Sequence, residues 1–470
     1  METNAHQNTT ITPHHHQQAR TAICQRLHHA AKHEPLPGTN TGTETNPTHL
    51  ATHLAGNSPH AHRFTQEITH ATHGYALALT AATTHPTNIL TAAHQHHPDP
   101  SVLFEQLILT GHPTHPLARH RHPLTDTQTR TYAPEHQPTI NLPHHQPPTG
   151  TTTAGTHPPT SLPVHPWQAN RYQTQLGDPT HHLPNTAPLA NLRTLSTGTH
   201  HIKLAIDIQM TSAIRGVSPN ATTCGPHLTT HLTDPLADHG ITLQGESSIT
   251  TNHPQPGALS AITRPAPHTL HPGTTPTPIA ALAEKCPTTG RPIAAALIEQ
   301  SQHSVEQWWA QLCELYTRPL TFLGTTGVAL EAHGQNTIIT LTGPNPTGII
   351  YRDLGGIAIP ADLAPELPGT LHEAHAPART RKLLAAYHTT LNQLVDALSH
   401  WYTHIDPHMW WTHLAEAAHA ATRDYPEIAK ATLSKPWPLK ATTAMRLSHQ
   451  PTAEIWAYTT NPLTKRTTTP

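Results

Sequence analysis

The alternation of apolar and polar residues is clearest between residues 201 and 211, where it predicts a β-strand. One face of this strand is apolar: Ile202, Leu204, Ile206, Ile208 and Met210. The other face is polar: Lys203, Asp207, Gln209 and Thr211. We expect the apolar face to fix the strand in a core and the polar face to remain free for contacts. Taken alone, the segment is best interpreted as a half-buried strand with a solvated face.

Helical periodicity is found on both sides of this strand, mostly after it. Apolar residues at three- and four-residue steps predict helices over 291–317, 383–398 and 410–421. A shorter helix is predicted over 102–108, with Gly111 as its C-terminal stop. The expected core of the 291–317 helix is its apolar face: Trp308, Trp309, Leu312 and Leu315.

A second β element is predicted after the 291–317 helix. Residues 337–341 and 348–352 are rich in apolar and β-branched side chains, and a Gly-Pro-Asn-Pro turn separates them. Together with the 201–211 strand they predict a mixed β core between helical lobes. The predicted fold class is therefore α+β.

The chain of 470 residues is too long for one compact core, and we divide it into four regions. Residues 1–48 are polar and rich in His and Thr, and we expect this segment to be partly disordered and dispensable. Residues 49–160 form a predicted N-terminal helical lobe, which ends in a loop or linker over 134–160. Residues 161–365 hold the predicted β core, and residues 366–470 form a helical C-terminal region.

Composition excludes some function classes. There are 26 Lys and Arg against 28 Asp and Glu, a formal charge of −2, without the basic tract that a nucleic-acid binder needs. The sequence has neither an apolar run of 18 residues nor a visible signal peptide. Its four cysteines, Cys24, Cys224, Cys286 and Cys313, form no Cys-x-x-Cys pair. We therefore expect a soluble cytoplasmic protein with reduced thiols and no nucleic-acid or membrane partner.

The 47 histidines leave an alternative open. A His-rich chain can be a metal-binding protein, although these histidines are scattered without a repeat or a constant ligand spacing.

Two groups of polar residues suggest chemistry. The cations Arg193, Lys203 and Arg215 fall within 23 residues, which suits a polyanion such as a nucleotide triphosphate. Glu331 and Asn336 precede one strand of the second β element, and Asp353 follows the other. Three hard oxygen ligands of this kind can hold Mg²⁺ on nucleotide phosphates.

Two weaker segments complete the set. Residues 111–116 read Gly-His-Pro-Thr-His-Pro and can form a basic loop, although exposed imidazoles are an equal interpretation of His112 and His115. His165 starts a His-Pro-Trp-Gln segment, where it offers a ring nitrogen beside a rigid aromatic side chain.

Taken in order, these segments resemble the siderophore synthetases that act independently of nonribosomal peptide synthetases, the aerobactin-synthetase (IucA/IucC) family. The resemblance covers residues from about 100 to 450, and the segment Pro438 to Leu447 resembles the end of that family's ferric-reductase-like (FhuF-like) C-terminal region. It implies a cupped-hand architecture of fingers, palm and thumb. It also implies an enzyme that adenylates a carboxylate with ATP and Mg²⁺ and then joins it to an amine or alcohol.

The resemblance implies roles for individual residues. For ATP they are His165, Asn191, Arg193, Thr194, Lys203, Asn336 and Asp353. For Mg²⁺ they are Glu331, Asn336 and Asp353. For the carboxylate substrate, commonly citrate or a derivative, they are Thr211, Arg215 and His333, with Lys203, Arg215 and His333 closest to the reaction. A homodimer is a further expectation.

Some positions depart from the family's pattern. Asn191 stands where Ser is usual, Arg119 where Lys is usual, and Pro123 where Gly is usual. Asn is not an equivalent hydrogen-bond donor to a phosphate. A catalytically weak or inactive relative that binds nucleotide or carboxylate is therefore a second hypothesis beside the active ligase.

Overall fold

The computed structural model describes residues 10–39, 42–81, 88–156, 159–211, 213–254, 257–364, 367, 371–449 and 454–464. Helices and sheets are both present, which confirms the α+β prediction. The helices are α1 Pro13–His33, α2 Pro47–Ala55, α3 Ala61–Leu79, α4 Ile89–His96, α5 Ser101–Gln106, α6 Asp126–Tyr132, α7 Pro166–Arg171, α8 Gln173–Leu176, α9 Pro219–Asp238, α10 Pro267–Leu270, α11 Ile279–Leu282, α12 Ile293–Ile298, α13 Val305–Thr326, α14 Ala376–Trp401, α15 Pro407–Ala421, α16 Pro426–Leu433 and α17 Thr442–Leu447.

The strands lie mainly in the centre of the chain. They are β1 Ile140–His145, β2 Thr151–Gly155, β3 Leu162–Pro163, β4 His181–Pro188, β5 Thr194–Ser196, β6 His200–Leu204, β7 Ile206–Met210, β8 Ala213–Arg215, β9 Ile241–Gln244, β10 Ser248–Asn252, β11 Ser260–Pro265, β12 Thr275–Pro278, β13 Thr337–Thr342, β14 Asn345–Arg352, β15 Trp437–Lys440 and β16 Trp456–Thr459. One sheet has the order β2-β10-β11-β6-β5-β4-β1-β3, and a second has the order β12-β13-β14-β9. Two pairs, β15-β16 and β7-β8, stand apart from them.

The second sheet confirms one prediction. β13 and β14 pair antiparallel across the turn at Gly343, as the sequence predicted, and β9 adds to β14 in parallel. The helices α13 and α14 pack near this sheet, and their buried residues include Trp308, Trp309 and Tyr387. The largest hydrophobic core therefore joins the second sheet to the C-terminal helices.

The predicted strand over 201–211 is broken at Ala205, which corrects the prediction of one continuous element. β6 lies inside the large sheet, between β5 and β11. β7 leaves that sheet because β8 folds back on it, with Ile206 opposite Arg215. The apolar face is nevertheless buried except for Met210, which is partly buried. Lys203 on the other face is buried too, with 5% of its surface exposed.

The predictions for residues 1–48 and 134–160 are also wrong for the residues described. α1 is a regular helix with a Thr12 capping box, and it buries Ile23, Leu27 and Ala30 at three- and four-residue spacing. Residues 134–160 contain β1 and β2, which join the large sheet through β4 and β10. In residues 1–48 the polar composition masked the periodicity of an amphipathic helix. In residues 134–160 the strands are recognisable only from their pairing with β4 and β10.

Two helix limits also differ from the prediction. The 291–317 segment forms two helices, α12 and α13, because Ser304 caps a new helix after the end of α12. The helix before Gly111 ends at Gln106, and Gly111, with φ of 67°, lies in the loop that follows. None of the helices described is both long and apolar enough to cross a membrane.

Candidate active site

The centre of the site is an ion pair between the two β segments that the sequence singled out. The ammonium of Lys203 on β6 lies 2.7 Å from a carboxylate oxygen of Asp353, which follows β14. Burial lowers the pKa of Lys203 to about 8, while Asp353 acts in the opposite direction. Burial raises the pKa of Asp353, but the charges of Lys203, Arg264 and Arg193 outweigh it and hold that pKa well below its usual range.

Arg264 and Glu246 belong to this centre, although sequence analysis missed them. Arg264 on β11 is 4% exposed, and its guanidinium lies 2.7 Å from Glu246 and 3.6 Å from Asp353. In the register of β11 and β6, Ile262 lies opposite Lys203, so Arg264 shares the face of Lys203. Arg264 is the one charged residue of β11, and only the pairing of β11 with β6 shows that it belongs to the site.

Arg193 and Arg215 bring further positive charge to the same region. Arg193 donates to the backbone oxygens of Arg215 and Gly216, at 2.9 and 2.7 Å, and so ties β8 to the start of β5. Arg215 donates to the hydroxyl of Thr211 at 2.6 Å across the β7-β8 turn. Burial lowers the pKa of Arg193 to about 10, and the neighbouring charge of Arg215 adds to this effect.

Asn191 and Thr194 are engaged with each other. The amide oxygen of Asn191 accepts from the backbone N–H of Thr194, and its amide nitrogen donates to the Thr194 hydroxyl, both at 2.9 Å. This arrangement shapes the turn before β5, where Leu192 has φ of 64°. The hydrogen bonds of Asn191 thus stabilise the turn that contains Arg193.

Glu331, His333 and Asn336 form a turn before β13 that adjoins Asp353. The backbone N–H of Glu331 donates to the Tyr351 hydroxyl at 3.1 Å, and that hydroxyl donates to the backbone oxygen of Asp353 at 3.1 Å. The Asn336 amide donates to the backbone oxygen of Glu331 at 3.3 Å. Tyr351, which sequence analysis also missed, therefore connects the two acidic segments.

The two carboxylates converge on Gly355 and Gly356. A Cβ atom on Gly356 would lie 2.0 Å from a carboxylate oxygen of Glu331, and one on Gly355 would lie 3.6 Å from Asp353. The glycines therefore leave room that a side chain would fill. Two carboxylates and the Asn336 amide are hard oxygen donors that fit Mg²⁺ when phosphate oxygens complete its shell.

His165 caps the start of α7, and its contacts differ from those of the residues above. It is fully buried, its Nδ1 accepts from the backbone N–H of Trp167 at 3.2 Å, and its ring packs edge-on against Tyr132. Its Nε2 is buried without a hydrogen-bond partner among the residues described. Burial lowers the pKa of His165 to about 3, so the ring is neutral.

The structure thus brings most of the predicted site residues together. Contacts or near charges connect Lys203, Arg193, Arg215, Thr211, Glu331, His333, Asn336 and Asp353. Arg119, which stands where the family usually has Lys, has other contacts. It is buried and donates to the backbone oxygen of Leu109 at 2.8 Å. Within the residues described, no group of three or more His, Cys, Asp or Glu is arranged to hold a metal ion, which gives the His-rich metal-binding hypothesis no support.

Comparison with known proteins relates the chain to a family. The model of the IucA / IucC family matches residues 101–145 and 155–284, which include Lys203, Arg215 and Arg264. Over this region the chain is similar to the IucA/IucC family. A second model, described as the ferric iron reductase FhuF-like transporter, matches residues 306–468. Both parts of the resemblance read from the sequence are therefore confirmed.

Curated relatives include siderophore synthetases. The chain is 27% identical over 310 residues to staphyloferrin A synthase of Staphylococcus aureus, which covers 54% of this chain and 52% of that protein. It is 27% identical over 233 residues to aerobactin synthase of Escherichia coli, covering 42% and 39% of the two chains. The matched region thus spans about half the length of these relatives, or less.

Solved structures share the fold over most of this chain. The ATP-bound aerobactin synthetase IucA from a hypervirulent pathotype of Klebsiella pneumoniae superposes with a TM-score of 0.72 at 17% identity, covering 89% of this chain and 87% of that one. The petrobactin biosynthesis protein AsbB from Bacillus anthracis gives a TM-score of 0.71 at 18% identity, covering 86% and 79%. At these identities the match establishes the fold.

Proposed function

We propose that this protein is an ATP-dependent siderophore synthetase. It adenylates a carboxylate, citrate or a citrate derivative, and condenses it with an amine or alcohol to give an amide or ester. AMP and pyrophosphate are the by-products. The observation that carries the proposal is the 2.7 Å contact between Lys203 and Asp353, because it joins the cationic strand and the acidic hairpin in one centre.

The positive charges of the site suit a reaction between two anions. A carboxylate that attacks the α-phosphorus of ATP brings two anions together, so the reaction needs fixed positive charge. Lys203, Arg264 and Arg193 supply it from the β5, β6 and β11 side, and Arg215 supplies it from β8. We assign Lys203 and Arg193, with His165, Asn191, Thr194 and Asn336, to ATP.

The carboxylate end is assigned to Arg215, Thr211 and His333. A guanidinium can hold a carboxylate through two parallel hydrogen bonds, and Arg215 already holds the Thr211 hydroxyl at 2.6 Å. In the first step a carboxylate oxygen bonds to the α-phosphorus and pyrophosphate leaves. In the second step the amine or hydroxyl bonds to the acyl carbon, AMP leaves, and a proton is released.

Glu331, Asn336 and Asp353 are assigned to Mg²⁺. When bound, the ion would neutralise charge on the ATP phosphates. The convergence of Glu331 and Asp353 on Gly355 and Gly356 supports this assignment, and Lys203 and Arg264 keep Asp353 ionised.

Pyrophosphate release tests the proposal. Purified protein is mixed with ATP and Mg²⁺, and citrate, succinate and 2-oxoglutarate are each combined with a panel of amines and hydroxyl compounds. We expect release that depends on one carboxylate and one acceptor, with an amide or ester product detected by mass. Nucleotide binding without release in any combination would favour the inactive relative instead.

A further inference from the structure

The N-terminal helix α1 contacts the loop of residues 110–116 through Arg26. Arg26 is 7% exposed, and its guanidinium donates to the backbone oxygens of Thr110 and His115, at 2.7 and 3.5 Å. The same guanidinium lies over the Tyr75 ring of α3, 5.3 Å from its centroid. The buried guanidinium of Arg26 thus makes two hydrogen bonds to the 110–116 loop and a cation–π contact with α3.

Other elements hold Thr110 as well. The carboxylate of Glu284, which is 4% exposed, accepts from the backbone N–H of Thr110 at 3.0 Å and from its hydroxyl at 2.5 Å. Gln393 on α14 donates to the same hydroxyl at 3.3 Å. The start of the loop is therefore fixed by charged or amide side chains from three separate parts of the chain.

The same face of α14 holds the turn that contains His333. The hydroxyl of Thr390 accepts from the backbone N–H of Gly334 at 2.8 Å. Thr390 and Gln393 are three residues apart, so they are neighbours on one helix face, about 5–6 Å apart at Cβ. The 110–116 loop and the His333 turn are therefore anchored side by side.

His112 extends from this loop towards the carboxylate end of the site. His112 keeps solvent-accessible surface although protein surrounds its ring, whereas His115 in the same loop is buried. Desolvation by the surrounding protein lowers the pKa of His112, and the charges of His333, Arg26 and Arg215 lower it further. His112 is thus a neutral imidazole near Arg215 and His333, able to donate one hydrogen bond and accept another.

We propose that Arg26 is a positioning residue that holds the 110–116 loop so that His112 closes the carboxylate end beside Arg215 and His333. This inference rests on the proposed function. His112 would donate a hydrogen bond to a carboxyl or hydroxyl oxygen of the polycarboxylate. The N-terminal helix, which composition alone marked as dispensable, then becomes part of the substrate site.

The test compares Arg26→Ala and Arg26→Lys with Arg20→Ala, an exposed position on the same helix. His112→Ala and the double variant Arg26→Ala/His112→Ala complete the set. KM for the carboxylate and KM for ATP are measured by pyrophosphate release, and folding is checked by thermal unfolding. We expect Arg26→Ala and His112→Ala each to raise the carboxylate KM about 10-fold or more while the ATP KM stays within about twofold.

Arg26→Lys, which keeps the charge but not both hydrogen bonds, should lie between wild type and Arg26→Ala. The double variant should be no worse than His112→Ala, because Arg26 acts through His112. Equal rises in both KM values, multiplied losses in the double variant, or an Arg26→Ala protein that matches Arg20→Ala would overturn the positioning role. If Arg26→Ala does not fold, Arg26→Lys decides by the same criteria. Wild-type protein without any carboxylate-dependent release would overturn the proposed function, and this inference with it.

Discussion

At the scale of single residues, the site contains a few buried charges that compensate one another. Lys203, Arg264, Glu246 and Asp353 lie within one connected network of ion pairs. Removal of one member leaves the others buried with less compensation, which costs more than the loss of a surface pair. Substitutions in this network should therefore affect activity far more than equal changes at the surface.

Lys203→Ala should lower carboxylate-dependent turnover about 10²- to 10³-fold, because a fixed cation at the phosphates is lost. The matched control is Lys440→Ala, which removes the cation of a surface pair with Glu454 at 2.8 Å, where both side chains are about half exposed. The control should keep wild-type turnover, because exposed pairs contribute little. Steady-state kinetics of pyrophosphate release give both values, and equal turnover in the two variants would refute the role of Lys203.

Gly356→Ala should change the dependence on Mg²⁺. The added methyl group would lie 2.0 Å from a Glu331 carboxylate oxygen, so that carboxylate must move. We expect the Mg²⁺ concentration for half-maximal pyrophosphate release to rise about tenfold. Gly257→Ala is the control, since a Cβ there has nothing within 4 Å. An unchanged Mg²⁺ profile in Gly356→Ala would argue against Glu331 as a ligand.

Sequence reasoning selected Lys203 and Asp353 because their segments carry motifs, but it could not select Arg264, Glu246 or Tyr351. Arg264 belongs to the site only because β11 pairs with β6 in a register that puts it on the face of Lys203. Tyr351 on β14 connects Glu331, in the turn before β13, to Asp353 through its hydroxyl, and this contact depends on how β13 and β14 pair. Strand register and side-chain direction depend on the whole fold, and local sequence does not determine them.

At the scale of elements, local periodicity identified α5, α14, α15 and the β13-β14 hairpin, and it failed where the neighbouring element determines the structure. The strand over 201–211 has one alternating pattern, yet Ala205 divides it because β7 pairs with β8 and β6 pairs with β11. α1 was hidden by its histidines, although its apolar residues repeat every three or four positions. Both errors arise because alternation and composition do not specify the neighbouring element.

Glu34, just after α1, caps α17 from a distance and gives a prediction for pH. Its carboxylate accepts from the backbone N–H groups of Thr443 and Ala444, both at 2.8 Å. Burial raises the pKa of Glu34 to about 7, although these hydrogen bonds oppose the rise. The folded state therefore holds this proton more tightly than the unfolded state, so the stability contributed by Glu34 falls as pH rises from about 4.5 to about 7.

Glu34→Gln should remove this dependence. Between pH 5 and pH 8 the free energy of unfolding of the wild type should fall relative to Glu34→Gln, by up to about 3 kcal/mol. Urea unfolding at several pH values measures the difference, and Glu306→Gln at an exposed position of α13 is the control. A constant difference between wild type and Glu34→Gln across this range would show that Glu34 does not titrate there.

At the scale of the whole molecule, Arg446 connects the three regions that we predicted beyond residue 48. It lies on α17, donates to Glu67 on α3 at 2.7 Å, and donates to Gln209 on β7 at 3.1 Å. Gln209 is two residues from Thr211 of the carboxylate end. The C-terminal region thus holds the N-terminal lobe against the strand pair β7-β8.

Arg446→Ala should lower the free energy of unfolding by about 3 kcal/mol, because the carboxylate of Glu67, a residue only 5% exposed, loses its main partner. Arg423→Ala, at an exposed position after α15, is the control and should change it by less than about 0.5 kcal/mol. Chemical denaturation measures both. A loss in Arg446→Ala no larger than in the control would mean that the regions are held together by other contacts.

The order of motifs, rather than periodicity, predicted the architecture of the whole molecule. Six short segments in a fixed order pointed to the family, and the fold and the family matches agree with it. The region limits at residues 48, 160 and 365, the cytoplasmic location and the homodimer stay predictions. Composition and motifs do not determine them, because they depend on contacts between surfaces and on the cell.

We propose that the Lys203–Asp353 centre activates a carboxylate as its adenylate. Carboxylate-dependent exchange of labelled pyrophosphate into ATP, without any acceptor, measures that step directly. We expect exchange with citrate or a related polycarboxylate in the wild type, and its loss in both Lys203→Ala and Arg215→Ala. Folded wild-type protein that binds ATP but shows no exchange with any polycarboxylate would contradict it.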